Sequence, residues 1–244
     1  MSAVPPNAHP SVSDLERLTR INMSAPIPIE TALGHPFDRQ HTEDGDYRTS
    51  AVVDERFIKE SHHKRYGRPW ALGRCIFDFA VESGLRPEHR LLDFGCGGLR
   101  FGVWAIRYLD AGNYFGVEKD FGSLEAAAAY EVPLHGLAEK RPRLLWNDDF
   151  RLSHFETNFN WIVDFSSSRS IHDNEELEQV FNAFAGVLAP GGHLLTSPRP
   201  DLPLETLAER GLRLLRTEDT SCGLLEGHEE RYSPHSEWCD FVRE

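Results

Sequence analysis

The stretch Leu91-Leu92-Asp93-Phe94-Gly95-Cys96-Gly97-Gly98-Leu99-Arg100-Phe101-Gly102 decides how this chain is read. An apolar pair runs into an acid and then into a glycine-rich turn. Beyond it, Phe101, Trp104, Ala105, Tyr108 and Leu109 fall on one face at helical spacing. A buried strand, a tight turn and an amphipathic helix in that order put bare backbone at a strand tip, where a nucleotide-like ligand can approach. Glycine at 95 and 97 suits this place, because a Cβ would crowd both the turn and the ligand.

The same alternation continues on either side. Leu72, Ile76, Phe79 and Ala80 mark a helix ending near Gly84. Asn113 to Glu118 reads as a second strand ended by an acid. Ser123 to Tyr130 reads as an alanine-rich helix stopped before Pro133. Leu144 to Trp146 is a brief third strand running into Asn147-Asp148-Asp149-Phe150. Trp161 to Phe165 is a fourth, with the polar tip Ser166-Ser167-Ser168. Asp173 and Glu176 form a capping box that opens a helix striped with Leu177, Val180, Phe181, Phe184, Val187 and Leu188. The turn Pro190-Gly191-Gly192 leads to a strand from His193 to Thr196. A helix from Pro203 to Arg210 and strands at Leu212–Leu215 and Trp238–Val242 complete the pattern. This order predicts a doubly wound α/β domain over residues 65–244, with a mostly parallel seven-stranded sheet flanked by helices and ligands at the strands' C-terminal ends. Residues 1–64, punctuated by six prolines between positions 5 and 36, read as an N-terminal extension that caps the core.

Composition limits the functions open to the chain. With 244 residues and 40% apolar content it can bury a full core. A formal net charge of −13 argues against a general nucleic-acid binder and against docking on anionic lipid. The one basic concentration, Lys59 to Arg68, has the character of a solvated face or loop. No segment reaches the length of a membrane span, and the N-terminus lacks the apolar stretch of a signal peptide. Cys75, Cys96, Cys222 and Cys239 are scattered without metal-binding or redox spacing, which leads to the expectation of a reduced, cytoplasmic protein. No metal site is expected either: of the twelve histidines, none sits in an H-E-x-x-H pattern.

From about Trp70 onward the chain resembles the class I S-adenosylmethionine-dependent methyltransferases. The motifs that carry the resemblance are LLDFGCGG, YFGVE, NDDF and LAPGGHLL, in this order and at these distances. It implies S-adenosylmethionine as cofactor, with Gly95 and Gly97 at its amino-acid tail and Asp93 beneath the turn, holding the loop or the ammonium group. Glu118 matches the acid that accepts from both ribose hydroxyls; a carboxylate has two acceptor oxygens for two donors. Asp148 or Asp149 would take the adenine amino proton, and the Phe150 N–H would donate to the ring. Phe165 and Ser166 would line the methionine side, and Tyr66 with Arg65 would close over the cofactor carboxylate.

Methyl transfer from a sulfonium needs alignment more than activation, and an oxygen nucleophile also needs a base. His172, after the fourth strand, is the first candidate; His228 and Glu229 are alternatives. The expected function is O- or N-methylation of a small-molecule acceptor. Two other readings stay open: a cyclase or lyase that consumes S-adenosylmethionine and releases methylthioadenosine, and a non-catalytic cofactor-binding partner subunit. One departure from the family pattern stands out, since a third glycine is common where this chain has Leu99. A dinucleotide fingerprint also fails, because it requires glycine at Arg100.

Overall fold

The computed structural model describes residues 69–149, 151–155, 157–165, 167–197, 205–219 and 237–244. The expectations placed on residues 1–64, Arg65, Tyr66, Phe150, Ser166, His228 and Glu229 lie outside the described residues.

Helix α1 (Pro69–Glu82) precedes strand β1 (Leu91–Phe94), whose four residues are all buried, as a strand covered on both faces requires. Helix α2 (Gly102–Tyr108), strand β2 (Tyr114–Glu118) and helix α3 (Phe121–Ala126) follow. The alanine-rich helix does not stop before Pro133. It widens into a π-helical turn (Ala127–Glu131) and resumes over Val132–Leu134. Pro133 thereby falls in the first turn of the resumed segment, where no backbone N–H is needed. Strands β3 (Arg143–Trp146) and β4 (Phe159–Asp164) lead to a 3-10 turn at Ser168–Ser170 and helix α4 (Asn174–Val187). The predicted capping box is present, with the Asp173 side chain accepting from the Glu176 N–H at 2.9 Å. Strand β5 (Leu188–Thr196) absorbs the Pro190-Gly191-Gly192 turn into a longer strand, with a register shift where Phe159 gives way to Trp161 on β4. Helix α5 (Glu205–Ala208) and strands β6 (Leu212–Asp219) and β7 (Glu237–Arg243) close the chain.

The seven strands form one sheet in the order β3-β2-β1-β4-β5-β7-β6. The sheet is mixed, which corrects the expectation of a mostly parallel one. The first five strands pair in parallel, but β7 returns between β5 and β6 and is antiparallel to both.

Two apolar clusters cover the two faces. One joins Ile76 and Phe79 of α1, Val103 and Ile106 of α2 and Leu124 of α3 to Leu91, Trp161, Val163 and Trp238 of the sheet. The other packs Leu177, Val180, Phe181 and Phe184 of α4 onto Leu92, Phe115, Ile162 and Phe241. Because strand residues alternate between faces, both sides of β1 and β4 are sealed, and the strand tips are left for a ligand.

Candidate functional site at the strand tips

The chain leaves β1 outward to β2 and β3, then returns to β4 on the other side of β1. Such a reversal opens a crevice at the C-terminal ends of the strands. The glycine turn lies in it. The N–H groups of Gly95 and Cys96 both donate to the Val117 carbonyl, at 2.8 and 3.0 Å, tying the turn to β2. Gly95 has φ +76°, and a Cβ built there would lie 1.7 Å from Ser167 Oγ. The turn and the tip of β4 therefore touch across the crevice, which only glycine at 95 permits.

Glu118 ends β2 and is partly buried. The Gly97 N–H donates to its Oε2 at 2.9 Å, and the Asp120 N–H donates to its Oε1 at 2.8 Å. Burial pushes its carboxyl above the usual range, and these backbone hydrogen bonds pull against that shift. The residue thus holds the glycine turn in place and still has acceptor capacity on both oxygens.

Asp93 lies beneath the turn with its carboxyl buried, and it accepts the Tyr114 phenol proton at 2.5 Å. Burial raises its pKa to about 7, opposed by the Tyr114 hydrogen bond and reinforced by the charges of Glu118 and Asp164. Asp164, at the end of β4, is fully buried. It accepts from the Ser168 N–H at 3.0 Å, from the Ser168 hydroxyl, and from Thr196 Oγ1 at 2.8 Å. Burial pushes its carboxyl upward too, against those hydrogen bonds. Asp93 pairs with Val163, so Asp164 falls on the opposite face of the sheet from Asp93. Tyr114 and Asp164 were not singled out in the sequence. Asp164 had a signal, because IVDF repeats the strand-then-acid pattern of LLDF. Tyr114 had none, since its hydroxyl meets Asp93 only through β1–β2 pairing.

Asp148 and Asp149 are exposed on the loop after β3. Both oxygens of Asp149 are engaged by Arg151, one with its N–H at 3.0 Å and the other with Nε at 2.7 Å. The backbone hydrogen bond from Arg151 is the main cause of its lowered pKa. Phe165, just past β4, is half-buried. Its ring meets Trp238 edge-on at 5.8 Å, and the Arg100 guanidinium lies 5.5 Å over it. His172 is exposed in the loop between the 3-10 turn and α4. Leu99 stands where the sequence pattern led one to expect a third glycine. Its backbone has φ +65°, in the left-handed region, while its side chain is fully buried.

No protein-family model matches the chain, and no curated protein does. Solved structures do match. The [4+2]-cyclase SpnF superposes with a TM-score of 0.55 at 18% identity, over 70% of this chain and 81% of its own. A TehB-like S-adenosylmethionine-dependent methyltransferase from Corynebacterium glutamicum gives 0.52 at 18% identity, over 72% of this chain and 88% of its own. The magnesium protoporphyrin IX methyltransferase ChlM from Synechocystis, solved with S-adenosylmethionine bound, gives 0.57 at 13% identity, over 80% of this chain and all of its own. The fold is that of the class I S-adenosylmethionine-dependent methyltransferases. On this fold, the crevice between the glycine turn, Glu118 and the tip of β4 is the candidate functional site. Among the described residues no cluster of three or more histidine, cysteine or acidic side chains could hold a metal ion, and no helix is long and apolar enough to cross a membrane.

Proposed function

We propose that the chain is an S-adenosylmethionine-dependent methyltransferase that methylates oxygen or nitrogen of a small-molecule acceptor. The observation that carries this reading is Glu118. Two backbone N–H groups fix its carboxylate at the rim of the crevice, and each oxygen can still accept from one of two vicinal hydroxyls. The cofactor, when bound, supplies a methyl group already activated on a sulfonium. Residues of this chain do the rest. Gly95 and Gly97 admit an amino-acid tail, and Asp93 beneath the turn holds the loop or the tail's ammonium group. Phe165 shields the reacting centre from water. His172 takes the proton of an oxygen nucleophile, a task imidazole suits near neutral pH. Asp148 or Asp149, with Phe150, meets adenine; for Asp149 this means sharing its carboxylate with Arg151. Tyr66 and Ser166 complete the cofactor shell. A net charge of −13 supports a metabolite acceptor over nucleic acid or a membrane surface, and a cytoplasmic location fits the same reading.

A second reading is other chemistry on the same fold, which the likeness to the [4+2]-cyclase SpnF favours. It includes a cyclase or lyase that consumes S-adenosylmethionine. One incubation separates them: protein with S-adenosylmethionine, with and without candidate acceptors, products identified by mass. S-adenosylhomocysteine formed only with an acceptor is expected. Methylthioadenosine formed without one would overturn methyl transfer. Binding with no turnover across acceptors would favour the non-catalytic partner subunit. In calorimetry, Glu118→Ala should weaken S-adenosylmethionine by roughly tenfold or more; an unchanged affinity refutes the ribose role.

A further inference from the structure

A serine at the start of a helical turn commonly bends its hydroxyl forward onto the turn's own N–H groups. Ser167 opens the 3-10 turn Ser168–Ser170, yet its side chain makes no such capping hydrogen bond. A different residue supplies the cap. Asp164, fully buried at the end of β4, accepts from the Ser168 N–H at 3.0 Å and from the Ser168 hydroxyl as well. Thr196 Oγ1 donates to the same carboxyl at 2.8 Å, which ties the anchor to the neighbouring strand β5. Relieved of capping, the Ser167 side chain lies against Gly95. The three atoms nearest to where a Cβ on that glycine would stand all belong to Ser167. Both residues are half-buried, so their contact reaches the open crevice. Among the described residues, nothing hydrogen-bonds the Ser167 hydroxyl.

The position gives this hydroxyl a use. A tail that crosses the bare backbone of the glycine turn meets Ser167 as the side chain facing it from the tip of β4. A hydroxyl serves either charged group of an amino acid, donating to the carboxylate or accepting from the ammonium group. Its direction is held at a distance. The carboxyl of Asp164 fixes Ser168 through backbone and side chain together, and Ser167 is the residue between that anchor and the glycine turn. Asp164 lies on the opposite face of the sheet from Asp93, so the two acids act from different sides. We propose that Ser167 hydrogen-bonds the charged end of the cofactor's amino-acid tail, and that Asp164 is the positioning residue that frees and aims its hydroxyl. This rests on the S-adenosylmethionine reading of the crevice. Asp164 itself touches no cofactor, and its effect passes through Ser167.

The test is calorimetry on the full-length protein with two ligands. One is S-adenosylmethionine; the other is methylthioadenosine, which shares the nucleoside and lacks the amino-acid tail. Ser167→Ala should weaken S-adenosylmethionine roughly tenfold and leave methylthioadenosine unchanged. Asp164→Asn should show the same selective loss. In a Ser167→Ala background it should add little, because both changes act through one hydroxyl. If Asp164→Asn does not fold, Ser168→Ala takes its place, since it removes the hydroxyl bond to Asp164 and keeps the N–H bond; a smaller loss with the same selectivity is expected. Equal loss of both ligands in Ser167→Ala, or loss of neither, would overturn the proposal and leave the cofactor reading standing. Losses from positions 164 and 167 that simply add would overturn the positioning role. A parent protein that binds neither ligand would sink the cofactor reading and this proposal with it.

Discussion

Leu99 holds a left-handed backbone with a fully buried side chain, two demands that usually go to different residues. The backbone costs about 1–2 kcal/mol for a residue with a Cβ. Removing a buried leucine side chain costs about 3–5 kcal/mol once the cavity is included. Burial wins, so Leu99→Gly should lower stability by about 1–4 kcal/mol in urea denaturation, even though glycine fits the angle. A variant as stable as the parent would show that strain governs the turn. Asp93 gives a pH-dependent counterpart. The folded protein retains its proton up to about 7, whereas an unfolded aspartate releases it near the ordinary carboxylate value. Folding binds a proton across that window. The residue's contribution is therefore fully present below about pH 4 and falls by at most about 1.4 kcal/mol per unit as pH rises toward its folded pKa. Asp93→Asn keeps an acceptor for Tyr114 and removes the titration. It should gain stability on the parent at pH 8 relative to pH 5; an equal difference at both would refute the raised pKa.

At the scale of elements, α1 is positioned by the backbone it presses against. A Cβ on Gly73 would lie 2.0 Å from the Arg100 carbonyl oxygen, in the turn that leads into α2. Alanine favours a helix by about 1 kcal/mol, but overpacking against backbone costs about 1–3 kcal/mol or more. Gly73→Ala should therefore destabilise the protein and, by shifting the turn, weaken S-adenosylmethionine in calorimetry. Equal stability and affinity would mean that α1 is free to move. Elements read from periodicity agree with the structure because each carries its own signal: the capping box at Asp173 and Glu176, the stripe on α4, the apolar run of β1. The helix expected to stop before Pro133 is where local rules fell short. Proline forbids a continuous α-helix, and a π turn between two segments removes the conflict.

Over the whole molecule, the strand order makes the site. Gly95 and Ser167 are distant in sequence and touch only because β4 lies beside β1. The β5–β7 side is built the same way. His193 Nδ1 and Asp240 Oδ1 lie 2.9 Å apart across the two strands, and the Arg243 side chain donates to the Leu188 carbonyl. The sequence by itself determined the succession of strands and helices, the glycine turn and the acid at the end of β2, since these depend on residue type and short spacing. Tertiary structure alone decided that the sheet is mixed. It also decided that Tyr114 meets Asp93, that Arg151 holds Asp149, and that Leu99 carries a glycine's backbone angle. Those facts follow from strand pairing and from how burial is shared between distant segments, and no local pattern encodes either.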